Sequence, residues 1–152
     1  AWSVLKPMFP AADIPVVQLS MDYARPPTEH LALGRQLAPL RERSVLIVAS
    51  GNVVHNLEAM RMGTGINAAY TWASGFDARV ADLVKSGQLD ALAGFAQWGA
   101  VAQLAHPTHD HFLPLLYAAG AVQTGDVPRF FNTGFQAASL SMRSMRWEGS
   151  IP

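Results

Sequence analysis

The chain has 152 residues, eleven basic and eleven acidic side chains, 50% hydrophobic content and 14% charged content, which is enough apolar material for one globular domain with a sizeable core. The cancelled charge and the lack of any lysine- or arginine-rich run exclude the electrostatic footprint of a nucleic-acid binder. With no cysteines there are no disulfides or thiolate ligands, and no apolar run approaches the roughly 20 residues that span a bilayer, so the expectation is a soluble, cytoplasmic protein. Because the sequence starts at Ala1 rather than methionine, an upstream segment that was removed or left out belongs to that expectation.

In chain order, Trp2, Val4, Leu5, Met8 and Phe9 predict a short amphipathic helix ending near Pro7 or Pro10. Residues 14–20, Ile-Pro-Val-Val-Gln-Leu-Ser, form a uniformly apolar run short enough for a strand, with Pro15 tolerated at its beginning. After a turn rich in proline, Thr28 and Glu29 open a helix with Leu31, Leu33, Leu37 and Leu40 at helical spacing, and His30 in its first turn reads as surface or core filler. Residues 44–50, Ser-Val-Leu-Ile-Val-Ala-Ser, are the clearest strand in the chain. Strand, helix, strand implies a right-handed crossover. The expected fold class is therefore α/β, a mostly parallel sheet flanked by helices and part of a larger single α/β domain.

Ligands of open α/β sheets bind at the carboxyl ends of the strands. Directly after the second strand stand Gly51, Asn52, Val53, Val54 and His55, so the sharp exit that Gly51 allows carries His55 over that crevice. A structural histidine bonding a loop carbonyl is the competing reading. Residues 60–70, with Gly63 and Gly65, form either a substrate loop or a plain connector. Trp72, Phe76, Val80, Leu83 and Val84 give a helix closed by Ser86 and Gly87, and Leu89, Leu92 and Phe95 continue the apolar spacing.

Three of the five histidines then fall within six residues, as His106, His109 and His111 beside Asp110. Pro107 disfavours helix at His106, and Thr108 with Asp110 and His111 reads as the cap and first turn of a helix that carries Phe112, Leu115 and Leu116 inward and ends at Ala119 and Gly120. Imidazole both ligates zinc or iron and titrates near neutral pH, so the cluster suits a metal or proton-transfer site. Clustered histidines ahead of a helix can equally be capping and solvated residues, and there is no HExxH or other compact zinc signature. The tail over 139–147 alternates polar and apolar residues as an edge strand does.

Four blocks together resemble a known family: residues 13–20, residues 50–57 (Ser-Gly-Asn-Val-Val-His-Asn-Leu), the His106-Pro107-Thr108 run through Leu116, and residues 139–142. They look like the catalytic portion of the class III extradiol ring-cleavage dioxygenases, in particular the group similar to 4,5-DOPA dioxygenase. The resemblance covers the whole chain, so residues 1–152 are expected to be the carboxyl-terminal portion of that catalytic domain. It implies a mononuclear non-haem Fe(II) enzyme, with Zn(II) possible in its place, that cleaves a catechol-type ring beside its hydroxyls with O₂. It further implies that His55 is the catalytic acid/base, that His111 is the metal ligand from the His-Pro-Thr block, and that His106 supports that ligand or binds substrate. The family carries two further histidine ligands in an amino-terminal portion, so a complementing amino-terminal portion or a homo-oligomer would complete the site. Where the family usually has proline this chain has His109, which inherits no role. A metal-dependent hydrolase, a metal-free binding protein and a subunit that has lost its site are the alternatives on the same scaffold.

Overall fold

Helix α3, Thr71–Lys85, is the centre of the packing. Its Phe76, Val80 and Val84 recur one turn apart and are all buried, so a single stripe faces inward. Gly87, at φ 71°, supplies the left-handed residue that ends the helix, with its N–H and that of Gln88 returning to the Val84 and Leu83 carbonyls. Leu92 and Phe95 from the 3₁₀ helix Leu89–Gln97, and Phe112 and Leu116 from around the last helix, close the core over that stripe. This is a computed structural model, and it describes residues 2–65 and 67–149. Ala1 of the expected opening helix and Ile66 of the expected loop lie outside the described residues.

The remaining helices are α1 (Trp2–Met8), α2 (Pro27–Leu37, continued by the 3₁₀ helix Ala38–Arg43), α4 (Ala100–Ala105) and α5 (Leu113–Gly120). Helix α1 runs through Pro7, and α2 starts on Pro27, whose ring presets the first helical residue. The buried face of α2 is His30, Leu31 and Gly34, while Leu33 and Leu37 are only half-buried. The shift from the expected leucine stripe has a steric cause. Helices α2 and α5 approach to backbone contact, and a Cβ on Gly34 would lie 2.4 Å from the Tyr117 carbonyl oxygen, one on Gly120 2.3 Å from that of Leu31. His30 Nδ1 and the Tyr117 hydroxyl share a 2.9 Å hydrogen bond beside this crossing.

Gly120→Ala is expected to destabilise the chain by about 2 kcal/mol, because forcing the backbones apart outweighs the helix propensity gained, which is at most about 1 kcal/mol. The midpoint of urea unfolding checks the sign.

Two antiparallel ladders complete the chain: β1 (Val127–Phe131) with β4 (Ser144–Glu148), and β2 (Phe135–Gln136) with β3 (Leu140–Ser141). The alternating tail is thus strand-forming, as its pattern predicts. The parallel sheet is a different matter. Residues 14–20 and 44–50 join no ladder among the described residues, and the sheets that do form are small and antiparallel. The expected mostly parallel sheet is therefore corrected to a mixed α and β fold in this chain. A run rich in β-branched residues carries strand propensity, but a strand exists only with a hydrogen-bonded neighbour, and among the described residues neither run has one. Among the described residues no helix is long and apolar enough to cross a membrane.

Candidate active site

The site is assembled by three separated stretches, 51–56, 104–111 and 139–141. Gly51 sits where a Cβ would lie 2.2 Å from the His111 carbonyl oxygen, so only glycine lets the backbones meet there. The next N–H, of Asn52, donates to that carbonyl at 3.0 Å, and the Asn52 amide donates to the Ser141 carbonyl at 3.0 Å. The His55 N–H donates to the Ala105 carbonyl at 2.9 Å, and the Ser141 N–H to the Val54 carbonyl at 3.0 Å. Asn56 donates its side-chain amide to the Leu104 carbonyl at 2.7 Å, and the buried Ser139 hydroxyl donates to the Asn56 carbonyl at 2.7 Å. Each tie uses main-chain groups, so the position of His55 is set by the backbone rather than by one neighbour.

His55 and His111 face one another across this junction. Their rings are stacked, with centroids 3.5 Å apart and planes 8° from parallel. His111 lies in the turn ahead of α5, in which the Phe112 and Leu113 N–H groups both donate to the His109 carbonyl at 3.0 Å. Thus the cap and first turn expected over 108–111 form a separate turn, and α5 starts at Leu113. His111 Nε2 is 3.6 Å from the Asp110 carboxylate, and its buried Nδ1 has no hydrogen-bond partner among the described residues. Burial lowers the His55 pKa, and the neighbouring His111 lowers it further. Asp110 is held below the usual carboxylate range, chiefly by the Thr108 hydroxyl.

His106 has a different setting. It is 2% exposed, its Nε2–H donates to the Val53 carbonyl at 2.8 Å, and its ring meets Phe76, Phe95 and Phe112 at centroid distances of 5.4, 6.0 and 5.1 Å. A carbonyl can only accept, so the proton is on Nε2, and the buried Nδ1, which has no partner among the described residues, is a bare lone pair. Burial pushes the pKa down to about 4, so the ring is neutral at ordinary pH. His109 is exposed, with its ring edge-on to Phe95 at 4.8 Å, and His30 lies at the α2 and α5 crossing instead.

Sequence reasoning attached no role to a buried clamp behind the pair. Asp77 of α3 accepts from the Ser141 hydroxyl at 2.6 Å and from both Nε and Nη2 of Arg143, the latter at 2.6 Å. It thereby fixes β3, whose Leu140 bridges His55, to the core helix. The signal was present as a carboxylate inside the apolar stripe of α3, between Phe76 and Val80, since a buried acid requires a partner.

A match to the family described as the catalytic LigB subunit of aromatic ring-opening dioxygenase runs over residues 2–141, through all three stretches that build the site. The chain belongs to the LigB family. Among relatives of this family member, the 4,5-DOPA dioxygenase extradiol of Escherichia coli (strain K12) is 40% identical over 149 residues, a match covering 96% of this chain and 54% of that protein. That of Beta vulgaris is 31% identical over 147 residues, covering 97% of this chain and 54% of its own length. A crystal structure of an uncharacterized protein from Escherichia coli K12 superposes with a TM-score of 0.86 at 37% identity, over 95% of this chain and 59% of that one. The chain spans about half the length of the curated relatives it matches.

The family implies a metal, and the residues present fit one only in part. Among the described residues no group of three or more His, Cys, Asp or Glu side chains is placed to hold an ion. An open non-haem iron site takes three protein ligands. His111 and the adjacent Asp110 do not by themselves make such a set.

Proposed function

We propose that this chain carries the proton-transfer part of the active site of an extradiol dioxygenase, which in its complete form opens a catechol-type ring with O₂ at an Fe(II) centre, or with Zn(II) in iron's place. The observation that carries this reading is the stacked pair of His55 and His111 on a backbone-locked junction, in a member of the LigB family. His55 is the acid/base. It is partly exposed, and its lowered pKa keeps the ring neutral and able to accept a phenolic proton. His111 is the donor this chain would contribute to the metal. His106 holds the loop after Gly51 through the Val53 carbonyl, and so positions His55 from behind rather than touching substrate. Because the donor set here is incomplete, no step is assigned to the metal.

The test uses the protein completed with the portion that the relatives carry outside the match. L-DOPA is the probe, since the relatives are named as 4,5-DOPA dioxygenases, and the signal is the absorbance of a yellow ring-opened semialdehyde under air with Fe(II). Turnover by the completed protein and none by the 152-residue chain alone is the expected result. Ring opening by the isolated chain, or none by either form, defeats the reading. His111→Ala should deplete bound iron or zinc sharply, whereas His106→Ala should deplete it less, as elemental analysis of gel-filtered protein will read. The reverse order removes His111 from the metal.

A further inference from the structure

We propose that Arg61 determines which catechols the site accepts: its guanidinium receives a carboxylate carried on a short side chain of the ring, while the ring itself lies against His55. Given the reading of His55 as the acid/base, on which this assignment rests, Arg61 holds the far end of the same substrate. Six of the nine arginines are paired with a carboxylate, and Arg79 lies over the Trp98 ring at 4.1 Å. Among the described residues the side chains of Arg43 and Arg61 have no partner. Arg43 ends the 3₁₀ helix Ala38–Arg43, at the opposite end of the 44–50 run from Gly51. Arg61 is tied to the site.

The stretch that holds His55 also holds Arg61. Leu140 bridges His55, the Asn56 N–H donates to the Ser139 carbonyl at 3.4 Å, and the Arg61 N–H donates to the Ala137 carbonyl at 2.9 Å. Leu140 and Ala137 are three residues apart, a span of at most about 10 Å, and Ala137 and Ala138, at φ 49° and 62°, are not extended and shorten it. An arginine side chain and a short substituent on a catechol bridge that distance between them. Beyond Arg61 the chain comes back to the same stretch, where Ala69 bridges Ala138 and the Tyr70 N–H donates to the Ala138 carbonyl at 3.1 Å. A surface loop whose two ends stand side by side on a rigid support is the kind that carries binding residues, which favours the substrate loop over the plain connector for residues 60–65. Arg61 is exposed there between Met60 and Met62, the latter 80% exposed. A planar guanidinium donates two parallel hydrogen bonds to a carboxylate, and flexible thioether side chains on either side suit an organic acid better than an inorganic anion.

The test uses the completed protein with Fe(II) and compares L-DOPA, which carries the carboxylate, with dopamine, which lacks it. Arg61→Gln is expected to raise the KM for L-DOPA by about ten- to a hundredfold, the range of a hydrogen bond to a charged group, with kcat and the KM for dopamine within about twofold of the parent. Arg61→Lys should recover part of the loss, and Arg43→Gln should change neither substrate. A loss shared equally by both substrates, or none for either, overturns the proposal. Binding of 3,4-dihydroxyphenylpropionate without air, read by calorimetry, is independent of turnover, and Arg61→Gln should weaken it by the same factor. If the parent opens no catechol, the dioxygenase reading fails while this binding still decides the role of Arg61. Binding unchanged by Arg61→Gln, or no binding by the parent, overturns the proposal.

Discussion

His55→Ala in the completed protein is expected to lower ring-cleavage turnover by roughly a hundred- to ten-thousand-fold, the range a positioned general acid or base contributes, with bound metal unchanged. Stacking against His111 gives His55 a fixed orientation, and the six hydrogen bonds described above that tie residues 52–56 to the neighbouring stretches keep its backbone in place without the ring. The variant should therefore fold, and it should lose proton transfer alone. Catechol affinity is expected to hold within a few-fold, so the loss appears in kcat rather than in KM. If metal disappears together with activity, His55 is a ligand. Unchanged turnover takes it out of the mechanism. His55→Gln keeps a polar group of similar reach without a titrating proton and should be as impaired as the alanine variant.

The second large effect belongs to His106 and is a matter of stability. Its pKa is about 4 in the fold against an ordinary value of 6.5, so the unfolded chain binds the proton more readily. Stability from this group is complete above about pH 6.5, declines as pH falls toward 4 and levels off below that, a total of about 3 kcal/mol. Burial is the dominant cause, and the Val53 carbonyl partly offsets it. Urea unfolding at pH 7.5, 5.5 and 4.5 reads the decline, and His106→Gln should flatten it at the cost of stability at the top of the range. His55 contributes in the same direction, so the comparison with the variant isolates the His106 share. Asp110 and Asp126 have lowered pKa values, the latter through the Arg41 guanidinium, and their contributions are lost only at more acid pH, below the usual carboxylate range. A variant with the parent's slope would show that His106 is not the group that titrates.

Helix α3 and the edge strand β4 were legible in the sequence because a helix hydrogen-bonds within itself, and periodicity alone announces which face is buried. Local chemistry likewise marked Gly51 and its following histidine as a sharp exit, and the 106–111 cluster as a turn before an apolar helix. What local pattern could not decide is which histidine does what. His106 and His111 are five residues apart with the same side chain, yet one is enclosed by Phe76, Phe95 and Phe112 and the other stacks on His55. That difference is produced by packing from residues far away in the chain. The Asp77 clamp on Ser141 and Arg143 needs two elements more than sixty residues apart to meet. The runs over 14–20 and 44–50 mark the opposite limit: their sequence declares strands, but strand pairing is a contract between distant residues, and among the described residues the partners are not there. Sequence by itself determined residue type, periodicity and the blocks that carry the family. Only the tertiary structure decided the pairing of His55 with His111, the neutral buried state of His106 and the unpaired state of the two runs, since each depends on what the surroundings do to a group's solvation and hydrogen bonds.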